Sequence, residues 1–219
     1  MREVTLDECL ISMPLIAVLR GIRPNEAFKV GEVLIESGIR IIEVTTNSPE
    51  PLESIRILAA AFGDYSIIGA GTVLTPDMVL RVAAVGGRLI VMPHADLAVI
   101  KAGKLEGCYV LPGIATPTEA FAALNVGADG LKLFPAELAS PKVLHAFRAV
   151  LPPETLVFPV GGITTDVMRK YWDAGANGFG LGSNLYKSGK SLTKLKADAD
   201  RYVSTMKLLN KNSIERFPN

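Results

Sequence analysis

The chain repeats one unit eight times, a short apolar run followed by a segment with apolar residues at helical spacing. In the first unit, residues 14–20 (PLIAVLR) form an apolar run of strand length, and residues 24–37 carry the helical spacing before Gly38. The later apolar runs lie at residues 40–45, 66–70, 88–92, 108–111, 130–134, 155–160 and 178–181, and the helical patterns at about 50–62, 75–85, 95–103, 116–125, 141–150, 164–174 and 190–209. Continuous apolar strands are typical of parallel sheets covered on both faces. The alternation predicts an α/β fold, a (β/α)₈ TIM barrel that forms a single domain over residues 1–219.

A doubly wound sheet is the alternative fold. Against it, residues 69–74 (GAGTVL) lack the third glycine of a dinucleotide-binding fingerprint, and residues 178–182 (GFGLG) have the wrong spacing. Residues 1–13 predict a short amphipathic helix, with Leu6, Leu10 and Ile11 apolar, that closes one end of the fold. Residues 210–219 form a polar tail without periodicity.

Composition narrows the expected partners to small molecules. The 23 basic and 22 acidic residues are interspersed, which gives no field for nucleic acid or an anionic membrane. Cys9 and Cys108 are the only cysteines and form no zinc-type cluster, so we expect reduced thiols and no metal site. Because no apolar run reaches the roughly 18 residues of a membrane span, we expect a cytoplasmic protein.

The strand at residues 130–134 (GLKLF) carries one lysine, Lys132, between apolar neighbours. Strand alternation sends Leu131 and Leu133 to one face, and Lys132 and Phe134 to the other. Burying an ammonium costs several kcal/mol unless it is paired or loses its proton, so burial lowers the pKa of a lysine and makes its amine nucleophilic. Lys132 is therefore a candidate nucleophile. The alternative is a lysine at a strand edge that reaches water.

Two more charged residues stand near the carboxyl ends of predicted strands, Arg20 in the first and Glu43 in the second. Barrel active sites form at these ends, so we expect Arg20, Glu43 and Lys132 to converge on one mouth. A structural alternative is a buried Glu43–Lys132 ion pair, which stabilises a fold poorly compared with apolar residues. His94 is a weaker candidate for a site residue at the same mouth. His145 is expected on the surface.

Glycine-rich loops follow the last two predicted strands. Gly161 and Gly162 follow one strand, and Gly182 and Ser183 follow the other, with Ser183 suited to cap a short helix. Backbone N–H groups in such loops form the usual phosphate site of this barrel, although glycines in plain turns explain either loop alone. The loop that contains Thr72 is either a carboxylate site or a plain turn.

Five ordered motifs between about residues 14 and 186 carry a resemblance to a known family. They are IEVT (42–45), GAGTVL (69–74), LPG (111–113), LKLFP (131–135) and VGGI (160–163). In order and spacing they resemble the 2-keto-3-deoxy-6-phosphogluconate (KDPG) and 6-phosphogalactonate (KDPGal) aldolases. The resemblance implies a class I aldolase that acts on a phosphorylated keto acid without a cofactor and forms a homotrimer.

The same resemblance implies a role for each matching residue. Lys132 matches the Schiff-base lysine and Glu43 the general acid/base. Thr72 and its loop match the binding site of the pyruvate carboxylate, which Pro93 and Phe134 line. The phosphate site is matched by Gly161, Gly162, Gly182 and Ser183.

Two departures favour the galactonate branch of the family. Gluconate enzymes usually carry an arginine where this chain has Asn47 and a threonine where it has Val160, and residues 19–22 (LRGI) also look like the galactonate branch. Since the missing arginine leaves the substrate carboxylate without its usual charge partner, Arg20 is the candidate replacement. The expected reaction is cleavage of KDPGal to pyruvate and D-glyceraldehyde 3-phosphate.

The alternatives are the gluconate epimer or 4-hydroxy-2-oxoglutarate as substrate, and a phosphate-binding barrel such as an epimerase or a thiamine phosphate synthase. A third alternative is a barrel that senses a sugar phosphate without catalysis.

Overall fold

The computed structural model describes residues 3–214, in which parallel strands alternate with helices. The strands are β1 (Leu15–Leu19), β2 (Ile41–Thr45), β3 (Ile67–Gly71), β4 (Leu89–Val91), β5 (Tyr109–Leu111), β6 (Gly113–Ile114), β7 (Leu131–Leu133), β8 (Val157–Pro159) and β9 (Phe179–Leu181). The helices are α1 (Leu6–Ser12), α2 (Pro24–Ser37), α3 (Pro51–Phe62), α4 (Pro76–Ala84), α5 (Leu97–Leu105), α6 (Pro117–Asn125), α7 (Pro141–Arg148), α8 (Thr165–Asp173) and α9 (Leu192–Ile214). Each predicted apolar run therefore overlaps a strand, and β3 extends one residue beyond its predicted run.

The strands form two parallel sheets. The first sheet has six strands in the order β5-β4-β3-β2-β1-β9, and the second has three in the order β6-β7-β8. An isolated bridge between Val160, which follows β8, and Gly180 in β9 links the second sheet to the first. The fold is α/β and TIM-like, and it places the ends of β1, β2, β7, β8 and β9 near one another.

One residue, Pro112, separates β5 from β6 and marks a change of hydrogen-bond partner. The carbonyl of Leu111 accepts from Met92 N at 3.1 Å, whereas the carbonyl of Pro112 accepts from Lys132 N at 2.8 Å. Proline has no N–H to donate, so the ladder is interrupted here. The apolar run at residues 108–111 predicted one strand ending at Leu111, and β6 was missed.

Apolar residues pack on both faces of the strands. One core lies between the strands and helices α2 to α9, and it includes Leu131 and Leu133. The other core lies on the opposite face and joins the first residues of several strands to α1. Its members include Ile16, Ile41, Ile67, Leu89, Phe158, Leu6 and Cys9.

Helix α1 closes one end of the strands, as the sequence predicted, but with a different face. A capping box between Thr5 and Glu8 starts the helix at Leu6. Leu6 and Cys9, three positions apart, then lie on the buried face, and Leu10 packs beside them. The expectation for Ile11 was wrong, because its side chain is 81% exposed.

The C-terminal segment also differs from its prediction. Helix α9 continues to Ile214, so residues 210–214 are helical rather than an irregular tail. Residues 215–219 of the predicted tail and residues 1 and 2 of the predicted N-terminal helix lie outside the described residues. Between residues 3 and 214, no helix has the length and apolar character needed to cross a bilayer.

Substitution Leu6→Ala tests whether α1 stabilises the fold through its buried face. We expect the free energy of unfolding to fall by about 2 to 4 kcal/mol, since a leucine at 3% exposure leaves a cavity when truncated. Urea denaturation followed by circular dichroism measures the change. Ile11→Ala, on the exposed face of the same helix, is the matched control and should change stability by less than about 0.5 kcal/mol. Equal losses for the two variants would contradict this account of α1.

Candidate active site

Lys132 lies in the middle of β7, buried on the face opposite to Leu131 and Leu133. Its side chain is only 7% exposed, so it does not reach bulk water as the strand-edge alternative requires. The amine Nζ lies 4.9 Å from the centroid of the Phe134 ring, which confirms that the two side chains share a face. The strand thus holds an amine in an apolar setting.

Glu43 lies in β2, at 1% exposure, and pairs in register with Val18 of β1 and Gly69 of β3. Among the described residues, its Oε2 atom has no hydrogen-bond partner. Gly71 makes room for this carboxyl, because a Cβ atom at position 71 would lie 2.6 to 2.8 Å from the Glu43 carboxyl atoms. The glycine at the end of β3 is therefore needed for the position of Glu43.

Burial shifts both groups towards their neutral forms. Desolvation lowers the pKa of Lys132 below its ordinary value, although the charge of Glu43 opposes the shift and that of Arg20 adds to it. Desolvation likewise raises the pKa of Glu43, against the opposing charges of Lys132 and Arg20. None of the ion pairs found in the described part of the chain joins the two residues. The predicted alternative of a buried Glu43–Lys132 ion pair is therefore wrong.

A cavity of about 320 Å³ opens above Lys132 at the carboxyl ends of the strands. Eight of the predicted site residues line it: Arg20, Lys132, Phe134, Val160, Gly161, Gly162, Gly182 and Ser183. Glu43 is not in the lining, but its charge interacts with Lys132 and Arg20. The three charged residues from β1, β2 and β7 thus converge as the barrel pattern predicted.

Arg20 follows β1 directly and is held by a turn that β2 anchors. The backbone N–H of Gly21 donates to the hydroxyl of Ser48 at 2.9 Å, and this hydroxyl also pairs with that of Thr45 at 3.0 Å. Ser48 is buried and was not singled out from the sequence. It couples the turn that carries Arg20 to the end of the strand that carries Glu43.

The structure does not place every predicted residue in this cavity. Its lining, taken over the described residues, contains none of Asn47, Thr72, Pro93 and His94. Asn47 and His94 are exposed. Thr72 directly follows β3 in a left-handed conformation, φ 60°, and its carbonyl accepts from the Thr46 hydroxyl at 2.6 Å. His145 is exposed on α7, as predicted.

The two glycine loops form one side of the cavity. In the first, Gly161 and Gly162 have φ values of 108° and 64°, which only glycine adopts without strain. In the second, the N–H groups of Leu185 and Tyr186 donate to the carbonyl of Gly182 at 2.9 and 3.0 Å. This second segment is a turn and no helix, so the expectation that Ser183 caps a short helix was wrong.

Several lining residues were missed: Val18, Glu137, Ile163, Asn184, Tyr186, Lys187 and Ser188. The carboxyl of Glu137 packs against Gly161 and Gly162, where any Cβ atom would collide with it. The Tyr186 hydroxyl donates to Glu26 at 2.7 Å, and burial raises the pKa of Tyr186, so this hydroxyl remains a donor. Residues 184–188 could have been found from their continuity with Ser183, whereas Glu137 required the fold.

Two matched substitutions test the electrostatic account of Lys132. Glu43→Gln removes the charge that raises the Lys132 pKa, and Arg20→Gln removes one that lowers it. The rate of Lys132 acylation by acetic anhydride, read by peptide mass spectrometry, rises with pH as the amine loses its proton. We expect this rise at lower pH in Glu43→Gln and at higher pH in Arg20→Gln. The exposed Lys29 serves as the internal reference for reagent activity, and shifts of the same sign would contradict the account.

The chain is similar to known proteins over most of its length. Residues 6–201 match the family model described as "KDPG and KHG aldolase". The chain is 44% identical over 191 residues to the 2-dehydro-3-deoxy-6-phosphogalactonate aldolase of Escherichia coli K12, covering 87% of this chain and 93% of that protein. A native KDPGal structure superposes with TM-score 0.90 at 42% identity, over 91% of this chain and 97% of that one. The KDPG aldolase of Legionella pneumophila, captured with pyruvate as a covalent carbinolamine, gives TM-score 0.79 at 25% identity, over 94% and 98% of the two chains.

Proposed function

The chain belongs to the KDPG and KHG aldolase family, and on that premise we propose that it cleaves KDPGal to pyruvate and D-glyceraldehyde 3-phosphate. The galactonate substrate is supported by the 44% identity to the E. coli enzyme of that name. The observation that carries the chemistry is the buried amine of Lys132 beneath a cavity, with Glu43 in electrostatic reach. The enzyme is a carbon–carbon lyase.

Lys132 is the nucleophile of this mechanism. Because its pKa is lowered, the neutral amine is available to attack the C2 ketone of the substrate. The carbinolamine that forms then loses water and becomes an iminium ion. The covalent carbinolamine of the Legionella enzyme with pyruvate supports the same first step here. The positive nitrogen then accepts the electron pair of the breaking C3–C4 bond, so the reaction uses no metal or organic cofactor.

Glu43 moves the protons. In its neutral form, favoured by burial, it donates the proton with which the carbinolamine hydroxyl leaves as water. The new iminium charge then lowers the pKa of Glu43, so the carboxylate takes the proton of the C4 hydroxyl. The C3–C4 bond breaks to an enamine and the phosphorylated aldehyde. Protonation of the enamine and addition of water release pyruvate and restore the amine.

The remaining site residues bind the two anionic ends of the substrate. Gly161, Gly162, Gly182 and Ser183 hold the phosphate through their loops, which line the cavity beside Lys132. At the other end, Phe134 packs against the pyruvate moiety from the cavity wall, and Thr72, Pro93 and Asn47 are proposed contacts of that moiety from outside this lining. Arg20 supplies the positive charge for the carboxylate, in place of the arginine that position 47 lacks. Binding energy at both ends orients the reacting bond.

We further propose that the two sheets form one complete (β/α)₈ barrel and that residues 1–219 are a single domain. Two observations support closure, the single residue between β5 and β6 and the bridge from Val160 to Gly180.

We also propose a cytoplasmic homotrimer. Large apolar side chains such as Leu105 and Leu138, 86% and 82% exposed, are consistent with surfaces that other copies cover. Light scattering on the purified protein measures the oligomeric state.

The gluconate epimer is the second candidate substrate, and a sensor that binds without cleavage is a more distant one. A lactate dehydrogenase-coupled assay with each epimer separates them. We expect pyruvate release from both epimers, faster from KDPGal, and irreversible borohydride trapping of pyruvate on Lys132. Lys132→Met should abolish release and trapping, because the other lysine of the described cavity wall, Lys187, is exposed and lacks the burial that favours a neutral amine. If the protein binds both epimers but releases pyruvate from neither, the aldolase proposal is refuted.

Val160 is the proposed determinant of epimer preference. It lies in the cavity wall at 9% exposure, and its backbone forms the bridge with Gly180. Val160→Thr keeps the shape and adds a hydroxyl that can bond the C4 hydroxyl of the gluconate epimer. We expect the ratio of kcat/KM for gluconate over galactonate to rise about tenfold, the worth of one hydrogen bond. Val160→Ile is the control without a hydroxyl, and an unchanged ratio in Val160→Thr would remove this residue from the specificity argument.

A further inference from the structure

Lys190 lies behind the segment 182–186, here called the β9 turn. Its Nζ donates to the carbonyl oxygens of Leu185 and, at 3.4 Å, Asn184. The same Nζ pairs with Asp198 of α9 at 2.9 Å, and the two side chains are 14% and 4% exposed. A partly buried cation with three acceptors therefore holds the carbonyl side of this turn.

The β9 turn is also tied to the neighbouring glycine loop. The Asn184 side-chain amide donates to the carbonyl of Ile163 at 3.0 Å. The hydroxyl of Tyr202, from α9, donates to the same carbonyl at 2.9 Å. Helix α9 therefore supports both loops that form the proposed phosphate site, one through the pairing of Asp198 with Lys190 and the other through Tyr202.

The backbone polarity of the turn explains why a cation on this side matters. The N–H groups of Leu185 and Tyr186 both donate to the Gly182 carbonyl, so the peptide groups of this turn align as in the first turn of a helix, with carbonyl groups at one end and free N–H groups at the other. Within the part of the chain that the structure describes, the N–H groups of Ser183 and Asn184 donate to no protein acceptor. Both residues line the cavity. A cation at the carbonyl end stabilises this polarity and keeps the N–H end available to an anion.

We propose that Lys190 is a positioning residue for the phosphate of the substrate. It does not touch the ligand, since it is absent from the residues described as lining the cavity. It fixes the β9 turn from behind, and Asp198 fixes Lys190. The inference rests on the proposed function, and it adds a residue outside the cavity that selects phosphorylated over unphosphorylated substrates.

Lys190→Met tests the proposal, with Lys196→Met as the matched control. Lys196 lies in α9, the helix that carries Asp198, and is also paired with an aspartate, Asp200, at 2.6 Å, but it contacts neither loop. We expect Lys190→Met to raise KM for KDPGal about tenfold, as for a lost charged hydrogen bond, and to change kcat by less than about twofold. KM for the unphosphorylated keto acid should not change. Lys190→Arg should recover most of the KM, and Lys196→Met should match the wild type.

Calorimetric titration with glycerol 3-phosphate gives a readout independent of catalysis, and its dissociation constant should rise about tenfold in Lys190→Met. If this constant is unchanged, or if both substrates lose kcat/KM equally, the residue has only a structural role and the proposal falls. Lys190→Gln, which retains a donor, replaces Lys190→Met if that variant does not fold. A wild-type protein that binds glycerol 3-phosphate but releases no pyruvate would refute the proposed function and leave the Lys190 test intact.

Discussion

Desolvation of one amine is the constraint on which the rest of this structure depends. Lys132 is buried in the middle of a strand, where its ammonium form is expensive and its neutral form is favoured. The same buried environment raises the pKa of Glu43, so it favours the protonated acid over the carboxylate. One environment therefore prepares a nucleophile and a proton donor together. The site gives up the stability that an apolar pair would contribute and gains reactivity in return.

Small residues leave space for the carboxyl groups of the site. Gly71 leaves the volume that the Glu43 carboxyl occupies. The left-handed glycines at 161 and 162 let the carboxyl of Glu137 pack against their backbone. Hydroxyl groups then fix the surrounding turns, as Ser48 does for the turn after Arg20. The chemistry is thus assembled from strand ends, while its geometry depends on residues that carry no charge.

The sequence predicted the fold class and the convergence of Arg20, Glu43 and Lys132, because strand alternation and repeat order are local patterns that topology converts directly into position. It could not predict β6, since a two-residue strand after Pro112 has no periodicity to read. Nor could it assign the buried face of α1, because Cys9 is buried there and the more hydrophobic Ile11 is exposed. Lys190 and Glu137 escaped for a different reason. The contact of Glu137 with the glycines at 161 and 162 joins separate elements, and Lys190, although only five residues from Leu185, is held in place by Asp198 of α9.

Helix α1 and the apolar layer beneath Lys132 have a consequence for the order of events during turnover. Leu6, Cys9 and Phe158 are all buried at that end of the strands and form an apolar layer there. In the proposed reaction the aldehyde lies nearer the mouth of the cavity, and the three-carbon fragment stays bonded to the lysine below it. This arrangement favours departure of the aldehyde before hydrolysis frees the keto acid, which is a sequential exit of the two products.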